Sequence, residues 1–369
     1  MRRPAWLALE DGSVYEGELI GKEGETTGEV VFTTSQTGYQ EALTDPSYRG
    51  QILVFTQPLI GNYGTFPQDA ESAAAQVRGV VVRELSDYPE ALPGGVTGLE
   101  AWLSAQGITG IAGVDTRALV RRLRSQGTLR GIITARPRPV HEMVEAACRV
   151  PDLSAQALVD EVSPAEPYEL GTGTGPRVAV VDLGVKRHIL VNLLQRGCRV
   201  AVVPARFTAD QILALRPDGV VISNGPGDPA VLSGPVATVR DLVGRVPLMG
   251  ICLGHQVLAL ALGGHTYKLK FGHRGGNHPV QELATGRVFI TTHNHGYSVD
   301  ERTLPPELMV TYRSLNDGTV EGMRHRELPA WSVQFHPEAS PGPRDNVHLF
   351  DALVAAAAAR PDGAAGWRP

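Results

Sequence analysis

Apolar and polar residues alternate along residues 5–20 on either side of Asp11-Gly12, the pattern of two half-buried strands joined by a tight turn. Further β-type runs follow at 29–33, 51–56 and 77–84. The period then lengthens. A helix is predicted from Asp115, a good N-cap, to Gly127, followed by a strand over 128–135 and helical patterning over 140–162. Proline and glycine crowd the segments 163–167 and 171–176, which marks a linker. Beyond it strand and helix patterns alternate: 177–183, 186–196, 199–204, 209–215 and 219–223. That rhythm predicts a parallel sheet with helices on both faces and ligand sites at the C-terminal ends of its strands. A hairpin turn at Asn316-Asp317-Gly318, a strand over 331–335 and an alanine-rich tail that starts as a helix after Val354 complete the chain. The expected fold class is α/β. An N-terminal β-rich α+β domain (1–150) and a linker (151–176) precede a C-terminal doubly wound, mostly parallel α/β domain (177–360) and a frayed tail (361–369).

Composition narrows the function classes. The 369 residues are 42% hydrophobic and 20% charged, as in soluble globular proteins, and the length suits two domains. A net charge of -5, spread along the chain, argues against a nucleic-acid or anionic-membrane partner. The basic run 117–130 shares a helical pattern with Leu119, Val120 and Leu123 and reads as a solvated helix face or a protein contact. Three cysteines without paired spacing argue for a reducing compartment, and Cys148 and Cys198 read as packing residues. With no signal-type segment and no apolar run of ~18 residues, a cytoplasmic location is expected.

Cys252 is framed as Gly250-x-Cys252-x-Gly254, between an apolar strand pattern and a helix pattern. A sharp strand-to-helix turn there would hold the side chain up as a nucleophile, while the flanking glycines remove Cβ clashes. The helix N-terminus favours thiolate. A cysteine nucleophile needs a base, and a base needs an orienting acceptor. His336 ends an apolar strand in Gln334-Phe335-His336-Pro337-Glu338, and in an extended segment Glu338 projects alongside it. The oxyanion formed by attack on a carbonyl needs two N–H donors. Leu253 supplies one, and the glycine-rich loop 223–229 is the candidate for the other.

The strings SNGPGDP, GICLGHQ and FHPE, in this order over 177–357, resemble the triad-type (class I) glutamine amidotransferases. The resemblance implies hydrolysis of the glutamine side-chain amide through a γ-glutamyl thioester on Cys252, with His336 as base and then acid and Glu338 orienting it. Residues 28–48, Gly61-Asn-Tyr-Gly64 and Gly113-Val-Asp-Thr-Arg117 are similar to the small chains of carbamoyl-phosphate synthetase. Carried over by motif, the resemblance implies glutamine contacts at Ser47, at the backbone of Gly225, Gly227 and Leu253, at the Gln256 side chain, and at Asn294, Gly296 and Tyr297.

No G-x-x-x-x-G-K-[ST] phosphate cradle occurs, and Gly171-x-Gly-x-Gly175 precedes its strand instead of following it. No cofactor is therefore expected on this chain. The resemblance implies that ATP and Mg²⁺ belong to a separate large chain, the partner in a heterodimer or an oligomer of heterodimers, which takes up ammonia released from L-glutamine. No metal is expected either. His293 and His295, with His273 and His278 nearby, lack an acidic or cysteine complement at zinc-type spacing. Rival readings are a glutaminase serving another synthetase, a non-catalytic regulatory subunit, and a cysteine peptidase.

Overall fold

The computed structural model describes residues 2–87 and 96–359 and divides into two compact units, Met1–Ala155 and Gln156–Pro369. The tail 361–369 lies outside the described residues.

In the first unit seven strands close into a barrel. Strand Pro4–Leu9 pairs antiparallel with Val14–Gly21 across the turn at Asp11-Gly12, where Gly12 adopts φ +91°. Closure comes from Leu129–Thr134, which pairs with both Pro4–Leu9 and Glu25–Thr33. Apolar residues of successive strands, among them Val31, Leu53 and Val80, meet Leu99 and Leu103 in the core. The helix Thr116–Gln126 starts where the Asp115 carboxylate accepts the Ala118 N–H and stops at Gly127. Its arginines 117, 121 and 124 are exposed and Leu119 and Leu123 are buried, as a solvated basic face requires. The helical pattern over 140–162 breaks into Val140–Cys148 and Val159–Val162, because Pro151 cannot continue a helix. Cys148 is exposed and not a packing residue, whereas Cys198 is buried.

The second unit is built on one ten-stranded sheet. Its parallel heart is Arg199–Pro204, Arg177–Asp182, Gly219–Ile222, Leu248–Ile251 and Ala330–Val333, in that spatial order. Helices line both faces, giving two apolar layers around Val181, Ile222 and Leu248 on one side and Val180, Met249 and Phe350 on the other. Tyr168–Leu170, inside the segment expected as linker, adds an antiparallel edge strand against Arg199–Pro204. On the opposite side the sheet continues antiparallel through Val320–His325, Leu308–Ser314, His265–Glu282 and Val288–Asp300. The last two form a long bulged hairpin that the residue pattern did not reveal. The helix His348–Ala358 begins before Val354.

Candidate active site

Cys252 stands between the strand Leu248–Ile251 and the helix Leu253–Ala261, at φ 53° and ψ -102°. Few non-glycine residues adopt such a conformation, and it lifts the side chain out of the sheet. The turn requires its glycines. A Cβ on Gly250 would stand 2.5 Å from the Gly254 carbonyl oxygen, and one on Gly254 would stand 2.1 Å from that of Ile222. The Cys252 N–H is tied to the Val333 carbonyl and the Gly254 N–H to that of Ser223, so neighbouring parallel strands fix the bend.

The Cys252 sulfur lies 3.6 Å from the Asn294 carbonyl oxygen. His336, just past the end of Ala330–Val333, is fixed by its N–H to the Thr292 carbonyl, and its Nδ1 is 2.6 Å from Glu338 Oε1. Its Nε2 has no aligned hydrogen-bond partner, and Cys252 is the neighbour acting on it from that side. Burial lowers the His336 pKa, but Glu338 and Cys252 outweigh it and raise the imidazole to about 10. Burial likewise opposes ionisation of Glu338. Lys186 and His336 prevail and hold its carboxyl down at about 2.

Lys186 is a residue that motif reasoning passed over. Its ammonium lies 3.0 Å from Glu338 Oε1 and 2.6 Å from the Ala339 carbonyl oxygen, fully inside the protein. It precedes the helix Arg187–Gln195, at the C-terminal end of strand Arg177–Asp182, where a doubly wound sheet collects functional groups. A lysine opening a helix straight after a buried strand was the available signal. Cys252, His336, Glu338 and Lys186 thus form one buried row, thiol to imidazole to carboxylate to ammonium.

Around this row lie most of the other expected residues. Leu253 is the first residue of its helix, where amides lack an intrahelical acceptor. Gly225 packs so closely that a Cβ would stand 2.1 Å from the Leu183 carbonyl oxygen and 2.8 Å from Leu253 Cδ2, and Gly227 adopts φ +88°. The Gln256 side-chain nitrogen donates to the Tyr297 carbonyl at 2.8 Å and to Gln334 Oε1 at 3.0 Å, which leaves its oxygen for a ligand. Asn294, Gly296 and Tyr297 sit on strand Val288–Asp300, not on a loop. Ser47 belongs to the first unit, buried on the 3-10 turn Pro46–Tyr48 that Asp45 caps.

A second group of titratable residues occupies the antiparallel extension. His273, His293, His295 and Glu321 are all buried, and one nitrogen or oxygen from each lies within 4.8 Å of the others. The acidic complement missing from the local sequence is therefore supplied by the fold, as Glu321 on Val320–His325.

Residues 179–356 match the family described as glutamine amidotransferase class-I, which gives the class of the site-bearing unit. Residues 7–133 match the carbamoyl-phosphate synthase small chain, CPSase domain. Proteins named carbamoyl phosphate synthase small chain are similar over nearly the whole length. The one from Symbiobacterium thermophilum is 52% identical, covering 94% of this chain and 97% of its own. That from Methanopyrus kandleri is 52% identical over 95% and 98%, and that from Syntrophotalea carbinolica 50% identical over 94% and 96%. The chain belongs to the carbamoyl phosphate synthase small chain family.

Proposed function

We propose that this chain is the glutamine-hydrolysing subunit of a carbamoyl phosphate synthase, and that Cys252, His336 and Glu338 carry the chemistry. The supporting observation is the strained Cys252 beside an imidazole that Glu338 keeps protonated. In this pair the sulfur attacks as thiolate on the side-chain amide carbon of L-glutamine. The tetrahedral oxyanion is met by the Leu253 amide and a backbone amide of the 223–229 loop. His336 then gives its proton to the departing nitrogen, ammonia leaves, and a γ-glutamyl thioester remains. Water, deprotonated by the now neutral His336, attacks the thioester and releases glutamate and the thiolate. Glu338 holds the Nδ1 side throughout, and Lys186 compensates Glu338's buried charge.

Within the second unit glutamine is held by the backbone at Gly225, Gly227 and Leu253, by the Gln256 side chain, and by Asn294, Gly296 and Tyr297. Ammonia passes to a large chain that binds ATP and Mg²⁺ and makes carbamoyl phosphate for arginine and pyrimidine synthesis. The location is cytoplasmic, a reading compatible with the absence of a membrane-spanning helix among the described residues.

Cys252→Ser in the assembled enzyme is the decisive experiment. Glutamine-dependent synthesis is expected to fall by at least ~10⁴-fold while synthesis from added ammonium salt continues. Surviving glutamine-dependent activity would remove Cys252 from the mechanism.

A further inference from the structure

The buried histidines of the antiparallel extension can be followed atom by atom. His273 Nε2 lies 2.8 Å from Asp317 Oδ2, at the tip of the hairpin turn. Thr291 has one hydroxyl proton, and it goes to the His278 carbonyl at 2.9 Å. The same oxygen, 2.7 Å from His293 Nε2, must then accept the proton that this nitrogen carries. His295 Nδ1 is 2.8 Å from the Tyr297 carbonyl oxygen, so that nitrogen also carries its proton.

Each imidazole thus has one nitrogen committed as a donor to an oxygen outside the cluster. The second nitrogens, His273 Nδ1, His293 Nδ1 and His295 Nε2, turn toward one another and toward Glu321. With each ring's proton on its other nitrogen, His293 Nδ1 and His295 Nε2 face each other as lone pairs across 3.0 Å. Such a contact is repulsive unless something electron-poor sits beside it. His273 Nδ1 and Glu321 Oε2 are likewise buried without a hydrogen-bond partner. They complete the arrangement, with His273 Nδ1 and His293 Nδ1 each 3.6 Å from a Glu321 oxygen.

From this convergence we propose that His273, His293, His295 and Glu321 bind a divalent transition-metal ion, zinc by preference, in a closed tetrahedral site. Zinc bonded at ~2.0–2.1 Å sets ligand atoms ~3.3–3.4 Å apart; the 3.0 Å contact between His293 and His295 and the 3.6 Å contacts of His273 and His293 with Glu321 bracket that edge, and the four ligand atoms lie within 4.8 Å of one another. Three imidazoles and one carboxylate are ligands that zinc favours, and an oxygen-only ion such as Mg²⁺ would find one oxygen donor group among nitrogens. The outer hydrogen bonds to Asp317, Thr291 and the Tyr297 carbonyl are the second-shell contacts that fix ring orientation in metal sites. Glu321 and Asp317 together balance the ion's two positive charges. With four protein ligands and no exposed member, the ion has no open position for substrate, and its role is structural. It joins the strands His265–Glu282, Val288–Asp300 and Val320–His325, and its two ligands on the middle segment flank Asn294, whose carbonyl meets the Cys252 sulfur.

The inference does not depend on the glutaminase reading, and it is tested on the full-length Cys252→Ser chain so that the nucleophile cannot serve as a ligand. Zn²⁺ is added and free metal is dialysed away. One zinc per chain is expected to remain, with a raised unfolding temperature. Co²⁺ in its place is expected to give an intense tetrahedral visible spectrum without a thiolate charge-transfer band. Glu321→Gln and His293→Gln should each weaken zinc binding at least ~100-fold, and Asp317→Asn, one step removed, ~10–100-fold. Absence of retained zinc overturns the site, and so does unchanged affinity in Glu321→Gln and His293→Gln. A thiolate band with cobalt, which would put the ion on a cysteine, also overturns it. Should the variants fail to fold, the cobalt spectrum of the unaltered ligand set decides alone: without tetrahedral bands the site is wrong.

Discussion

Two buried carboxylates in the same unit, Glu338 and Glu321, meet the cost of their charge differently. Each lies against histidine, and each is fully enclosed. Glu338 has an ammonium 3.0 Å away, and its carboxyl is held at about 2. Glu321 lies 3.6 Å from His273 and from His293, and burial raises its pKa. The consequence for the imidazoles differs. His336 is driven up to about 10 and stores a proton, and His273, between Asp317 and Glu321, is raised to about 9, whereas burial drives His293 and His295 down. A protonated imidazole between a sulfur and a carboxylate is a proton donor for a leaving group. Neutral imidazoles around a carboxylate are ligands. The same residue types acquire different chemistry from burial and from their charged neighbours, the Lys186 ammonium beside Glu338 among them.

The strongest way to break this contrast is to remove that cation. Lys186→Met leaves Glu338 buried without its ammonium, and stripping one partner from a buried pair costs about 3–5 kcal/mol. Denaturant unfolding should show that loss, and Lys186→Met combined with Glu338→Gln should recover part of it, since the stranded charge is then gone. Equal stability of the single variant and the parent would mean that Lys186 does not compensate Glu338.

A smaller effect is expected on the proton itself. Glu338→Gln removes the carboxylate that raises His336, so the imidazole moves from about 10 back toward its ordinary 6.5. The competent pair needs a protonated His336, and so the alkaline limb of kcat/KM for glutamine should move to lower pH. Near pH 8 the rate should fall roughly 10²–10⁴-fold. The stability consequence has a defined sign. In the parent, His336's raised pKa adds stability that is complete below 6.5 and fades as pH rises toward about 10, and Glu338's lowered pKa adds stability that fades as pH falls from 4.5 toward about 2. An unmoved alkaline limb in Glu338→Gln would assign His336's proton affinity to some other group.

The two clusters also differ in how far the sequence discloses them. Cys252 could be read because its function is local: an apolar strand, a glycine two places on each side, and a helix directly after. His336 and Glu338 are two residues apart, and although they meet across a turn closed by the Ala339 N–H on the His336 carbonyl and not along the extended segment expected, the contact needs no long-range information. Lys186 meets Glu338 across 152 residues, and although its place at the start of a helix after a buried strand marks it, no local pattern discloses its partner. The second cluster draws ligands from positions 273, 293, 295 and 321, which only the antiparallel extension brings together. That extension was itself hidden. Register shifts between Lys268 and His273 and between Gly275 and His278 interrupt the period of two on which strand recognition relies. The linker was read from proline and glycine, yet Tyr168–Leu170 found an edge to pair with, because a backbone edge accepts a strand of almost any composition.

The finest test of the contrast concerns which nitrogen of His293 carries its proton. Thr291→Val keeps the side-chain shape and removes the hydroxyl that accepts from His293 Nε2. Loss of one buried hydrogen-bonding group costs about 1–3 kcal/mol. Part of that should return in the metal-free chain, because His293 can then place its proton on Nδ1 and donate it to His295 Nε2, turning a repulsive contact into a hydrogen bond across the same 3.0 Å. The protonated Nδ1 is no longer a ligand, so zinc affinity should drop by ~10-fold or more while metal-free stability changes by about 1 kcal/mol or less. Nitrogen-15 shifts of the imidazoles report the tautomer directly. If Thr291→Val left His293 protonated at Nε2, the hydroxyl would not be what selects the ligating form, and the separation between a proton-storing histidine and a metal-ready one would have to come from burial alone.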